Sequence, residues 1–131
     1  MIGLDTNILV RYLTQDDPVQ SPKATELIEQ RLTRNAPGFV SLVAMAETAW
    51  VLERSYDFAG VEIASAIEAM LQADVFIIDS KDEVFTAMIA LMEGRGSFPD
   101  GLIVALGAKA GCRRTFTFDQ KALRLPGFKV V

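Results

Sequence analysis

The chain contains no histidine and a single cysteine, Cys112. The first absence excludes an imidazole general base, a Ser-His pair and His-ligated zinc. The second excludes an internal disulfide and a Cys-rich zinc site within one chain. No apolar run approaches the roughly 20 residues that span a bilayer. Met1-Ile2-Gly3-Leu4-Asp5 has neither the basic start nor the apolar stretch of a signal peptide. No membrane association is expected, and the lone cysteine is compatible with a reducing, cytoplasmic setting. Internal repeats, low-complexity segments and interdomain linkers are missing too. Chemistry must then rest on carboxylates, hydroxyls, amides and Lys/Arg. Oxygen-rich sites of that kind suit Mg²⁺ or Mn²⁺.

What is present is a globular composition: 131 residues, 50% hydrophobic and 23% charged. That is enough for one domain, expected to span residues 1–131, with one real core. The net charge of −4 at first argues against a nucleic-acid partner. The argument weakens if four acids bind metal, because the remaining acids then equal the thirteen Lys and Arg in number.

Patterning places a short buried strand at Met1–Asp5, then a helix opening at Thr6-Asn7 with Ile8, Leu9, Tyr12 and Leu13 on one side. Asp16-Asp17-Pro18 breaks it. Ser21 is the expected N-cap of the next helix, which runs to about Arg34, with Pro22 at its first position. Phe39-Val40 is a brief strand. Ser41 caps a helix from Leu42 to about Tyr56, in which Val43, Ala46, Glu47, Trp50 and Val51 repeat at helical spacing. Val61 to Ala73 is another helix, with Ile63, Ile67, Met70 and Leu71 inward. Val75-Phe76-Ile77-Ile78 reads as a buried strand. A helix from Glu83 to Glu93, a loop to Pro99, a small apolar helix Gly101–Ala110, a strand Arg114–Phe118, a helical turn and a last strand Phe128–Val131 complete the chain. Strands alternating with helices predict an α/β fold: a mainly parallel central sheet with helices on both faces.

In open parallel sheets, ligands bind beyond the carboxyl ends of the strands. Asp5 and Asp119 each follow a predicted strand. Asp100 opens a helix after a Gly-containing loop, and Glu47 lies in a helix that follows a strand. Clustered carboxylates repel, and a cation or a proton must compensate them. Several acids without histidine favour the cation. Two ions about 4 Å apart would activate water, hold a phosphate and stabilise the leaving oxygen of a phosphodiester. Thr6, Asn7, Ser97 and Thr117 lie beside the acids and can orient them. Structural readings stay open for each: Asp5 and Asp100 as helix caps, Asp119 as a turn residue, Glu47 ion-paired to Arg11 or Arg54.

The ordered segments Ile2-Gly3-Leu4-Asp5-Thr6-Asn7-Ile8-Leu9, Ala46-Glu47, Phe98-Pro99-Asp100-Gly101-Leu102-Ile103, Thr117-Phe118-Asp119 and Leu125-Pro126-Gly127-Phe128 resemble the PIN-domain nucleases, and within them the VapC-type toxins of toxin–antitoxin pairs. The likeness covers nearly the whole chain. It implies a Mg²⁺- or Mn²⁺-dependent endoribonuclease, a hydrolase of RNA, often homodimeric and neutralised by a small antitoxin. It makes Asp5, Glu47, Asp100 and Asp119 the acidic, metal-binding site, with Asp5 and Asp100 the surest ligands, and Thr6 and Thr117 polar accessories. Many relatives carry another acid or amide where this chain has Ser97, which implies that a second metal binds weakly or only with substrate. Arg11, Arg95, Arg113, Arg114, Lys121 and Arg124 flank the motifs and are candidates for RNA phosphates. An antitoxin needs an apolar groove, for which the helices around Tyr12-Leu13 and Leu27-Ile28 are possible walls. Two other readings stand beside this one. A PIN-like domain that binds RNA or a partner without cutting would not need the complete acid set. A receiver-type phosphoacceptor domain would need paired acids after the first strand, where Asp5 stands alone. A DNA-cutting 5′-nuclease relative would need extra helical arches for which the chain lacks room.

Overall fold

The computed structural model describes residues 1–131. Its elements are β1 (Ile2–Gly3), α1 (Thr6–Thr14), α2 (Gln20–Glu26) continuing as a π-helical turn (Leu27–Arg31), β2 (Gly38–Val40), α3 (Leu42–Tyr56), α4 (Gly60–Gln72), β3 (Phe76–Ile78), α5 (Lys81–Met92), α6 (Phe98–Lys109), β4 (Thr115–Thr117), a 3-10 helix (Gln120–Arg124) and β5 (Phe128–Val130). All strand pairs are parallel, in the order β1-β2-β3 in one sheet and β4-β5 in another. The expected α/β class with parallel strands is what the chain adopts. No helix is long and apolar enough to cross a membrane.

Two compact units organise the chain. One holds Met1–Phe58 and Ala69–Asp79, the other Ala59–Glu68 and Ser80–Val131. In the first, α1 packs on α2 and α3. Leu9, Val40, Met45 and Leu52 are fully buried there. The buried row of α3 is Ala44, Met45, Thr48, Ala49 and Leu52. Val43 and Trp50, from the repeat picked out in the sequence, lie outside at 78% and 52% exposure. Two helical periodicities overlap in this apolar helix, and the row that carries Met45 and Leu52 takes the core. Glu47 belongs to the outer row, one helical turn from Val43 and Trp50. The first strand is also less buried than expected: Ile2 is 45% exposed and only Leu4, just past it, is buried.

The cap expected at Ser21 is corrected. The helix starts at Gln20, one residue ahead of Ser21, and its N-cap Val19 makes no side-chain bond; Asp17, in the preceding turn, accepts from the backbone N–H groups of Val19 at 2.9 Å and Gln20 at 2.6 Å. Ser21 is buried inside the helix, and its hydroxyl donates to the Arg11 carbonyl at 2.9 Å. A charged acceptor bonds orphan N–H groups strongly, so Asp17 fixes the start of the helix ahead of Ser21. Helix α3 starts as expected at Ser41, whose Oγ accepts from the Ala44 N–H at 3.1 Å, and Asp79 adds a second acceptor for the Leu42 N–H at 3.0 Å.

In the second unit, α5 and α6 pack against each other. Gly101 permits this, since a Cβ there would lie 3.0 Å from both Cα and Cβ of Ala87. Val84, Ala87, Met88, Phe98 and Leu102 form the buried layer. Arg114 stands over the Phe116 ring at 5.6 Å.

Candidate functional site

Asp5 follows β1 in extended conformation and caps α1, accepting from the Thr6 N–H at 2.8 Å. The cap does not use up the carboxylate, because one oxygen serves the helix and the side chain remains exposed. Asp5 and Glu47 line one cavity of about 320 Å³, together with Thr6, Asn7, Arg11 and Tyr56. Glu47 makes no ion pair: Arg11 is bound elsewhere, and Arg54 stands over the Trp50 ring at 5.4 Å. Both pairings open to Glu47 in the sequence are thus excluded.

Arg11 is anchored by a cluster that sequence reasoning missed. Its Nη1 donates to Asp16 at 3.2 Å and to the Tyr56 hydroxyl at 2.9 Å, and its Nε donates to Gln20 at 2.8 Å. The Tyr56 hydroxyl in turn donates to Asp16 at 2.6 Å, and that of Thr14 does so at 2.8 Å. Desolvation works against the Arg11 charge, but Asp16 and Tyr56 outweigh it and hold the guanidinium above its ordinary range. The hydroxyls of Tyr56 and then Thr14 hold Asp16 below the ordinary carboxylate range. The result is a cation fixed in the wall of an acidic cavity. No local signal links Arg11 to Tyr56, 45 residues away.

The other two acids share a second cavity, of about 410 Å³, with Ser97, Lys121 and Arg124 among its lining residues. Ser97 caps α6, its Oγ accepting from the Asp100 N–H at 3.2 Å. Asp100 is therefore a first-turn residue and not the cap that one reading of the sequence allowed. Its carboxylate is left without a protein hydrogen bond or ion pair. Asp119 does act as a turn residue, accepting from the Lys121 N–H at 2.9 Å, and it lines the cavity as well. Thr117 does not line that cavity; its hydroxyl accepts from the Asp119 N–H at 3.0 Å and so fixes that acid's backbone.

The structure thus brings Asp5 to Glu47 and Asp100 to Asp119. No group of three or more Asp, Glu or Cys side chains is arranged to hold a metal ion, so each cavity is judged on its own pair. Two carboxylates with neighbouring hydroxyls, joined in the first cavity by the Asn7 amide, are a hard, all-oxygen donor set. Mg²⁺ commonly binds through one or two carboxylates while keeping several waters, so either pair fits such an ion.

The chain matches the family profile described as "PIN domain" over residues 2–127. It is 24% identical over 129 residues to a protein named VapC ribonuclease from Aquifex aeolicus (strain VF5), covering 98% of this chain and 93% of that one. No solved structure matches the chain significantly.

Proposed function

The chain belongs to the PIN-domain family, and on that premise we propose that it is a metal-dependent endoribonuclease, the toxin of a toxin–antitoxin pair. The observation that carries this reading is the pairing of Asp5 with Glu47 in one cavity, neither acid being neutralised by an ion pair. The likeness to a VapC ribonuclease over almost the full chain supports it. In this reading Asp5, Glu47, Asp100 and Asp119 supply the oxygen donors for Mg²⁺ or Mn²⁺. When bound, the metal would polarise water and offset charge on a phosphodiester. Asn7 and Ser97 border the acids and orient water or carboxylates, while Thr6 and Thr117 hold the turns that carry Asp5 and Asp119. Arg11, permanently charged, faces the phosphate from the cavity wall. The protein works as one domain over residues 1–131 in the cytoplasm, as a homodimer restrained by a small antitoxin.

The test is incubation of the purified protein with structured RNAs, with and without Mn²⁺, beside an Asp5→Asn variant. Metal-dependent cutting by the wild type alone is the expected result. A wild type that never cuts, once any co-purified antitoxin is removed, or a variant that cuts equally well, overturns the reading. Light scattering at the monomer mass overturns the dimer.

A further inference from the structure

A second opening adjoins the Asp5–Glu47 cavity within the same unit. It measures about 440 Å³ and is lined by Arg11, Lys23 and Arg31, with Asn7 and Gln20 at its polar edge and Ile8 and Leu27 among its apolar residues. Asn7 and Arg11 line both openings. No acid lines this one, although the protein as a whole carries a net charge of −4. Segregating three cations from a surplus of acids requires specific placement, and that placement abuts the acidic cavity.

We infer that this groove is a nucleotide subsite, taking the phosphate and base of the ribonucleotide next to the bond cut at the Asp5–Glu47 cavity. The inference rests on the ribonuclease reading above. The groove's size suits one nucleotide. The Arg11 guanidinium spends Nε and Nη1 on Gln20, Asp16 and Tyr56, which leaves Nη2 without a protein partner. Lys23 and Arg31 are exposed and make no ion pair with any carboxylate. The amides of Asn7 and Gln20 offer N–H donors to a base edge, and Ile8 and Leu27 offer apolar surface to its face. Leu27 and Arg31 are the two ends of the π-helical turn, and such turns recur where a helix is bent to a function.

The test uses the full chain carrying Asp5→Asn, so that RNA is bound without being cut. Binding of a fluorescent single-stranded RNA oligonucleotide is followed by anisotropy across a salt series without divalent metal. Each phosphate contact contributes about 0.7 to the slope of log K against log salt for a single strand. Adding Lys23→Ala and Arg31→Ala should flatten the slope by about 1.4, whereas Arg34→Ala with Arg54→Ala, outside both cavities, should leave it unchanged. Neither Lys23 nor Arg31 makes a side-chain contact that folding needs, and a thermal melt checks this. An unchanged slope, or an equal loss in the Arg34/Arg54 control, overturns the subsite. So does a groove variant that loses only a protein partner, which would assign the groove to an acidic protein. Wild-type RNA cleavage with an unchanged slope overturns the subsite alone; absence of both RNA binding and cleavage overturns the ribonuclease reading with it.

Discussion

Two glycines of α6 should respond differently to the same substitution. Alanine is favoured over glycine inside a helix by about 1 kcal/mol, so Gly→Ala gains that much at either position if space allows. At Gly101 it does not. The new Cβ would sit 3.0 Å from both Cα and Cβ of Ala87, neither of which can rotate away, so α5 and α6 must separate. Overpacking of that kind costs about 1–3 kcal/mol. The net for Gly101→Ala is a loss of about 1 kcal/mol. At Gly107 the close atom is Thr115 Oγ1, at 2.8 Å, with nothing else nearer than Cys112 Cβ at 3.9 Å. A hydroxyl can turn aside at the cost of a rotamer, roughly 1 kcal/mol, which the helix propensity offsets. Gly107→Ala is therefore expected to be neutral within about 0.5 kcal/mol. Urea denaturation of both variants measures this directly, as a lower midpoint for Gly101→Ala at unchanged m-value. Thermal melting should show a gap of about 4 °C between the two. A Gly101→Ala protein as stable as the wild type, or a Gly107→Ala protein that loses more, refutes the packing argument. Because Gly101 adjoins Asp100, the same variant should also lower nuclease activity more than Gly107→Ala does.

Replacing Asp5 or Asp100 by Asn should reduce Mn²⁺-dependent cleavage by more than the roughly 10–100-fold typical of losing an outer-shell partner; a gel assay showing a smaller loss would argue against direct metal contact. Ser97→Ala removes the α6 cap and should cost about 1 kcal/mol in denaturant titration, while Ser97→Asp should retain it. Asp16 and Asp17 are both held below the ordinary carboxylate range, Asp17 chiefly by the Gln20 and Val19 N–H groups. Their folded-state pKa is depressed, so their stabilisation is complete above the ordinary Asp value and fades as pH falls through the folded one. Acid titration of Asp17→Asn should therefore show a shallower loss of stability below about pH 4 than the wild type. Tyr56→Phe should move the Asp16 titration, read by NMR, up towards the ordinary value.

Those sensitive positions divide along a line that the sequence itself draws. Local signals were readable: Ser41 as a cap, the break at Asp16-Asp17-Pro18, the alternation of strands and helices. Each depends on residues within a few positions of one another. The inward face of α3 was not readable, because its apolar residues satisfy two helical registers and only packing on α1 chooses between them. The same choice turned Glu47 outward into the cavity that holds Asp5. The ends of α2 and α6 moved for a related reason. Asp17 and Ser97 bond first-turn N–H groups of these helices, and they lie only four and three residues ahead of Ser21 and Asp100, so the rival acceptors look alike in sequence. Contacts between distant residues, such as Arg11 with Tyr56 or Lys109 with Glu83 at 3.2 Å, have no local trace.

The outward turn of α3 also places the sole tryptophan on that face, at position 50, three residues beyond Glu47 and with Arg54 over its ring. Half-exposed indole emission responds to nearby charge and hydration. The protein therefore carries its own optical reporter beside the acidic cavity. Titrating Mg²⁺, Mn²⁺ or an RNA strand into unlabelled protein should change that emission, and Glu47→Gln should blunt the change for the metals.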